Sequence, residues 1–358
     1  MPLTLIDTPE TLATYLKTCG GTNPTPVCAI DTEADSLHRY RESLCLIQFA
    51  AGPDCLLMDP LAIQDLSALG DFLQRTVVWM HGADYDMTML KRQFGALPAK
   101  IYDTQIGARL LGARRFGLAD LVLHYFGVEL SKSSQKADWG KRPLTPKMVE
   151  YALNDVRYLL PMADQIVANL KAKGRHAWFE ESCDSARKKV LERDEARQDA
   201  WRIQGTGKLD RFSLACLRAL WHWRDKEASL WDRPSFMVAT NRQLLEWCTL
   251  LAQRQQVALP HHFRTDRLKR FHQTLETLMA MPEAEWPERP KLMRRKRDRD
   301  FERKVELLLK ARDAAAAELD IDASLIASRA ALEAVADGES APAQLLMQWQ
   351  LGILNLER

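Results

Sequence analysis

Asp31 and Glu33 stand two residues apart at the end of the apolar run VCAID, residues 27–31. Residues at that spacing point to the same face of a strand, so the two carboxylates share one side. Like charges held together repel unless protons or cations neutralise them, and oxygen ligands favour a hard divalent metal. A second acidic group lies in HGADYDMTML, residues 81–90, where Asp84 and Asp86 both fall in the first turns of a helix that follows the run VVWM. Acidic residues there also favour the helix dipole, and capping accounts for them equally well. A third group is Tyr151 with Asp155, four residues apart and therefore on one helix face. A half-buried tyrosine beside a surface carboxylate would give the same pattern.

The elements that must position these groups are legible from periodicity. Short β-rich runs at 27–31, 44–50, 55–59 and 77–80 alternate with turn residues and read as strands. Helical patterns occupy 65–75, 83–94, 103–111 and 117–126, and a longer one opens with Thr145 as N-cap and Pro146 at the first helical position. Pro161 should kink or end that helix. The opening strands follow one another closely enough for hairpins, which predicts a mixed sheet. From about residue 172 strand signals fade and the chain reads as all-α. The Pro-rich stretch 281–290 is the linker candidate, and KLMRRKRDRDFERK at 291–304 carries eight basic and three acidic residues, a solvated face or a phosphate contact.

Composition narrows the classes. A chain of 358 residues is too long for one ordinary core, and 46% hydrophobic with 27% charged residues is a globular balance. Seven scattered cysteines without Cys-x-x-Cys spacing suit a reducing compartment and disfavour zinc. No apolar run or leader pattern suggests a membrane span or secretion, so a cytoplasmic protein is expected. Residues 1–170 hold 16 basic against 19 acidic residues and the remainder 34 against 29, an asymmetry that suits an enzyme acting on a polyanion. No Gly-x-Gly-x-x-Gly or Walker loop follows a strand, which disfavours dinucleotide-binding and ATPase readings.

In order and spacing, Asp31-Thr32-Glu33, the His81-Gly82-Ala83 helix start with Asp86, and Tyr151-x-x-x-Asp155 resemble the DEDD exonuclease superfamily in its tyrosine-containing branch. Within it the chain is similar to the ribonuclease D family, a likeness that extends through Asp103-Thr104-Gln105 and through 130–162. The resemblance implies an α/β ribonuclease H-like exonuclease domain with a mixed sheet at 1–172. A helical linker at 173–208, an HRDC domain at 209–280 and a second HRDC-like helical domain at 281–358 would follow. It makes Asp31, Glu33, Asp86 and Asp155 the ligands of two divalent ions, Mg²⁺ or Mn²⁺, with Tyr151 beside the attacking water. Tyr151 is expected mainly to orient that water, since free tyrosine titrates near pH 10, though proton removal stays open. Asp86 is chosen over Asp84 because it lies five residues after His81; Asp103 is either an N-cap or a support of the site. Thr32, Ala34, His81, Lys132, Gln135 and Arg142 are candidate substrate contacts. Ala34-Asp35-Ser36 departs from the bulky apolar residue common in the family after its first motif. Trp221, Trp223, Trp231, Arg218, Arg224 and Arg233 mix aromatic and basic groups as single-strand binders do, although most of the tryptophans should be core.

The implied reaction is 3′→5′ trimming of RNA with single-stranded 3′ ends, tRNA precursors among them, releasing 5′-mononucleotides, with no obligate protein partner. A 3′→5′ DNA exonuclease and a non-catalytic RNA-binding adaptor are the alternatives.

Overall fold

The computed structural model describes residues 5–20, 25–52, 54–193, 200–289, 299–338 and 340–356. Most of the basic run, 291–298, lies outside them. By contact the chain divides into two compact units, one of Met1–Ala34, Leu44–Arg193 and Lys296–Arg358, the other of Asp35–Ser43 and Asp194–Arg295.

The first unit is built on a six-stranded sheet of β1 (Leu5–Ile6), β2 (Val27–Ala34), β3 (Leu44–Ala51), β4 (Asp54–Met58), β5 (Val77–Met80) and β6 (Lys100–Asp103), in the order β1-β4-β3-β2-β5-β6. Strands β2, β3 and β4 pair antiparallel, whereas β1 joins β4 and β5 joins β2 and β6 in parallel. The sheet is mixed, as the close spacing of the first strands requires. One face carries Cys28, Ile30, Ile47 and Phe49 and packs against α1 (Pro9–Gly20), α2 (Ser67–Gln74) and α3 (Asp84–Phe94). The other face carries Ala29 and Ala50 and is covered by α4 (Thr104–Leu110), α5 (Leu118–Phe126), α6 (Pro146–Arg157), α7 (Leu159–Ala172) and α8 (His176–Glu192).

Thr145 caps α6 through the Met148 backbone N–H, with Pro146 at the first helical position. The helix stops at Arg157 and α7 begins at Leu159. Pro161 explains the break: it lacks an N–H for the Arg157 carbonyl and its ring would crowd that oxygen, so it sits in the first turn of a new helix. Helix α4 approaches α7 closely at Gly107, where a Cβ would stand 2.5 Å from Ile166 Cγ2.

The second unit is helical: α9 (Arg211–Trp231), α10 (Ser235–Val238), α11 (Asn241–Ala252) and α12 (Thr265–Met279) close over Trp223, Trp247, Phe263 and Phe271. The C-terminal helices α13 (Arg299–Leu319), α14 (Ala323–Ile326), α15 (Arg329–Asp337), α16 (Pro342–Leu345) and α17 (Gln348–Leu354) belong by contact to the first unit. Ile321, Ile326, Leu332 and Trp349 share a core with α7 and α8, Trp178 stacks on Trp349 at 5.2 Å, and Glu181 accepts from the first backbone N–H groups of α17.

The two helical regions repeat one another at an offset of 88 residues. Helices α9 and α13 have 21 residues each and are followed by Asp232 and Asp320, both at φ 49°. Arg224 and Arg312 each donate to a carbonyl at the end of the next short helix, Ala239 and Ala327 respectively, both at 3.2 Å. Thr240 and Ser328 then cap α11 and α15.

Candidate active site

Strand β2 lies in the middle of the sheet, and Asp31 and Glu33 leave it on the face covered by α6. Tyr151 and Asp155 descend from α6 towards them. One ligand oxygen from each of Asp31, Glu33 and Asp155 lies within 4.8 Å of the others, and all three residues are half-buried. Among the described residues this is the one group of carboxylate, histidine or cysteine side chains placed to hold a cation.

The electrostatics are those of a cluster short of positive charge. Burial, then the charges of Asp86, Asp155 and Glu33, holds the Asp31 carboxyl well above the usual carboxylate range. Glu33 is pushed up to about 9 by burial and by Asp155 and Asp86. Asp155 is pushed up to about 7 by burial and by Asp86, against a hydrogen bond from Tyr151 that favours its charged form. The Tyr151 phenol is itself driven far above its ordinary value, by burial first and then by the carboxylates of Asp155, Glu33 and Asp31. It therefore stays protonated and can donate.

Asp86 is held differently. Thr32, between the two acidic residues of β2, points to the opposite face, where its backbone N–H at 3.0 Å and its hydroxyl at 2.5 Å both donate to Asp86 Oδ1. Asp86 is buried in the first turn of α3 and pushed up to about 6 by burial, with the Thr32 hydrogen bonds opposing. It lies outside the close trio, but its charge raises both Asp31 and Glu33. Asp84 faces away and pairs with Arg193, which donates to both its carboxylate oxygens at 2.6 and 3.0 Å. Asp103 is the N-cap weighed for it and also bonds the turn before α3. It caps α4 through Gln105 N at 2.7 Å and accepts from Gly82 N at 2.9 Å and Ala83 N at 3.0 Å, fixing the turn that launches α3. Gly82 has φ +67° there, a conformation that favours glycine.

The candidate substrate contacts separate on their bonding. Arg142, a candidate phosphate or leaving-group contact, has all five of its N–H donors engaged within the protein. They meet Asp59 Oδ2 at 2.6 Å and Oδ1 at 2.7 Å, and the carbonyls of Cys45, Trp139 and Lys141 at 2.7–2.9 Å. This clasp fastens the loop before α6 to β3 and β4. Thr32 is likewise engaged through both donors with Asp86. His81 bonds through Nδ1 to Thr104 Oγ1 at 2.9 Å, and burial lowers its pKa, so the ring is neutral. Ala34 sits at the irregularity that ends the β2–β3 pairing. Lys132 and Gln135 are exposed on the loop before α6. Sequence reading passed over Asp59, whose position at the end of an apolar strand was its one signal, and Gln48, which lies opposite Asp31 in the sheet.

A family described as 3′-5′ exonuclease matches residues 3–171. Ribonuclease D of Escherichia coli (strain K12) is 36% identical over 230 residues, 63% of this chain and 60% of that protein, so the matched stretch spans three-fifths of that relative's length. Ribonuclease D of Zymomonas mobilis is 27% identical over 358 residues, covering 96% of this chain and 91% of that protein. The crystal structure of Escherichia coli RNase D superposes with a TM-score of 0.76 at 26% identity, covering 99% of both chains. The chain is similar to ribonuclease D over most of its length. Its first unit accordingly has the ribonuclease H-like exonuclease fold, and the ribonuclease D likeness runs on through the helical region, since the matched crystal structure covers the chain almost end to end.

Proposed function

We propose that the chain is a divalent-metal-dependent 3′→5′ exoribonuclease that shortens RNA from single-stranded 3′ ends and releases 5′-mononucleotides. The observation that carries this reading is the Asp31, Glu33, Asp155 cluster, three carboxylates drawn within 4.8 Å with their proton affinities raised by burial and by neighbouring carboxylates, Asp86 among them. An all-oxygen set short of positive charge fits hard divalent cations. Asp31, Glu33, Asp86 and Asp155 would hold two such ions, Mg²⁺ or Mn²⁺. When bound, these ions would lower the pKa of the attacking water, neutralise charge on the phosphate and stabilise the departing 3′ oxygen.

The remaining steps belong to the chain's own groups. The protonated Tyr151 hydroxyl, beside Asp155, orients the water and leaves proton removal to another acceptor. Asp103 holds the α3 start and Thr32 holds Asp86 against the end of β2, so that the site is fixed before substrate arrives. Lys132 and Gln135, on the loop that Arg142 anchors, are free to meet the strand.

The helical regions would guide structured RNA, tRNA precursors among them, and the HRDC resemblance at 209–280 and 281–358 supports that role. So does one edge of the second unit, where Trp231, 44% exposed, stands in a cleft with His262, Arg264, Arg267 and Arg270. The Arg267 guanidinium lies 4.8 Å from the Trp231 ring centre, a pairing of stacking surface and cation that suits a nucleotide strand. Four of the residues singled out in this region are held within the fold instead. Trp223 is core, Arg224 is buried on Ala239 and Asn241, and Arg218 and Arg233 bond backbone carbonyls. Among the described residues no helix is long and apolar enough to cross a membrane, and a cytoplasmic location without an obligate protein partner completes the proposal.

The test is a 5′-labelled stem-loop RNA with a 3′ tail, and its DNA counterpart, incubated with Mg²⁺ or Mn²⁺ or with chelator. A ladder shortening from the RNA 3′ end only with metal supports the reading. Preference for the DNA would make the chain a DNA exonuclease, and binding without shortening would make it an adaptor.

A further inference from the structure

Gln48 lies in β3 directly opposite Asp31 of β2. It has no solvent exposure, and neither its amide nitrogen nor its amide oxygen has a hydrogen-bond partner within the protein. Opposed residues of an antiparallel pair project to the same face, so the amide shares the α6 side of the sheet with the Asp31 carboxylate. Its surroundings on that face agree. Two positions before it, Leu46 packs with Ala152 and Trp139, and two positions after it, Ala50 packs with Val156. The amide therefore sits under α6, between the turn bearing Tyr151 and the turn bearing Asp155. A leucine or methionine would fill this apolar seam without the cost of burying a primary amide.

We propose that Gln48 is a positioning residue for the carboxylate site, its amide donating to Asp31 through one buried water and fixing the angle at which Asp31 meets a cation. Ligating carboxylates are oriented by such outer hydrogen bonds, and their loss typically weakens metal affinity about 10- to 100-fold. An amide suits this place better than a lysine or arginine would. It donates without adding a positive charge that would compete with the cation, and it has no proton to lose as pH changes.

The proposal rests on reading the carboxylates as a cation site, and its test separates the two. Mn²⁺ is titrated calorimetrically into the full chain and into Gln48→Met, which keeps the length of the side chain and removes its polarity. Each protein is also melted in chelator. The expected result is Mn²⁺ binding by the wild type and binding about 10- to 100-fold weaker by Gln48→Met, with a melting temperature in chelator equal to or above that of the wild type. With saturating metal, kcat should fall while the KM for RNA is unchanged. Equal Mn²⁺ affinity in a folded Gln48→Met protein would overturn the role of Gln48 while leaving the site reading intact. Absence of binding by the wild type would overturn the site reading itself. Should Gln48→Met not fold, a high-resolution crystal structure of the Mn²⁺-loaded wild type decides. A single-water link from the Gln48 amide to Asp31 supports the proposal, and an amide turned to other partners refutes it.

Discussion

Asp59 and the Asp31, Glu33, Asp155 trio lie against the same sheet, two strands apart, and differ in what faces them. Asp59, just past β4, is clasped by Arg142, and although burial pushes its pKa up, the guanidinium and two backbone N–H groups outweigh that and hold it below the usual range. Asp31, Glu33 and Asp155 face one another and Asp86, and among the described residues no lysine or arginine is bonded to them; burial and these neighbouring charges raise their pKa values together. The first arrangement is complete within the protein. The second becomes complete only when cations or protons arrive, and such internal disagreement marks a working site more sharply than acidity does.

Substitutions on either side should behave oppositely. Asp31→Asn should lower RNA hydrolysis by about a thousandfold, the scale of losing a principal electrostatic contributor to the transition state, while raising the melting temperature in chelator because the amide is neutral there without taking up a proton on folding. A chelator melt beside a single-turnover assay reads both effects. Arg142→Met should do the reverse to stability, lowering it by about 3–5 kcal/mol because Asp59 is left buried and unpaired; urea unfolding measures this. Thr32→Val removes the hydroxyl that holds Asp86 and should cost about 1.5–3 kcal/mol, the range for a hydrogen bond to a charged group, with kcat falling more than the KM for RNA.

The pH dependence should separate the two sets most finely. Metal-free folded protein keeps protons on Glu33 to about pH 9 and on Asp155 to about pH 7, whereas the unfolded chain loses them near pH 4. The folded state thus binds more protons across that window, and these residues make chelated protein less stable as pH rises from about 4 to 9. Asp59 has the opposite sign: its contribution is present above the ordinary carboxylate pKa and is lost as pH falls through its lowered value. Thermal melts in chelator should show both trends. Addition of Mn²⁺ should flatten the alkaline decline, since a cation binds the deprotonated cluster.

Much of this arrangement was legible in the residues, and the gaps have physical causes. Strand β5 and the hairpin strands, the α3 start and the Thr145–Pro146 opening of α6 follow from local pattern. Leu5–Ile6 and KIYD at 100–103 were not read as strands, because two or four residues at a sheet margin carry no periodicity; parallel pairing with β4 and β5 makes them strands. The carboxylate trio was visible as residue types, but Thr32 turning Asp86 to the other face depends on strand alternation combined with the position of α3. Arg142 looked like a phosphate ligand because it is a cation in a loop before the third motif; its partner Asp59 lies 83 residues earlier in the chain, and only folding joins them. The helical repeat was partly hidden because its shared parts are small, Arg224 with Arg312 and Ala239 with Ala327, while its core residues diverge. Trp223 of the first copy has Ala311 at the matching place in the second. The aromatic copy closes its own core, and the other shares the core of α7 and α8.

The most direct measurement is calorimetric titration of Mn²⁺ into the protein at pH 7, in two buffers of different ionisation enthalpy, with Asp31→Asn alongside. The expected result is saturable binding with protons released to the buffer, as carboxylates that hold protons at pH 7 give them up to the cation, and binding sharply weakened in Asp31→Asn. Binding without proton release, or undiminished in Asp31→Asn, would contradict the claim that these carboxylates form the cation site.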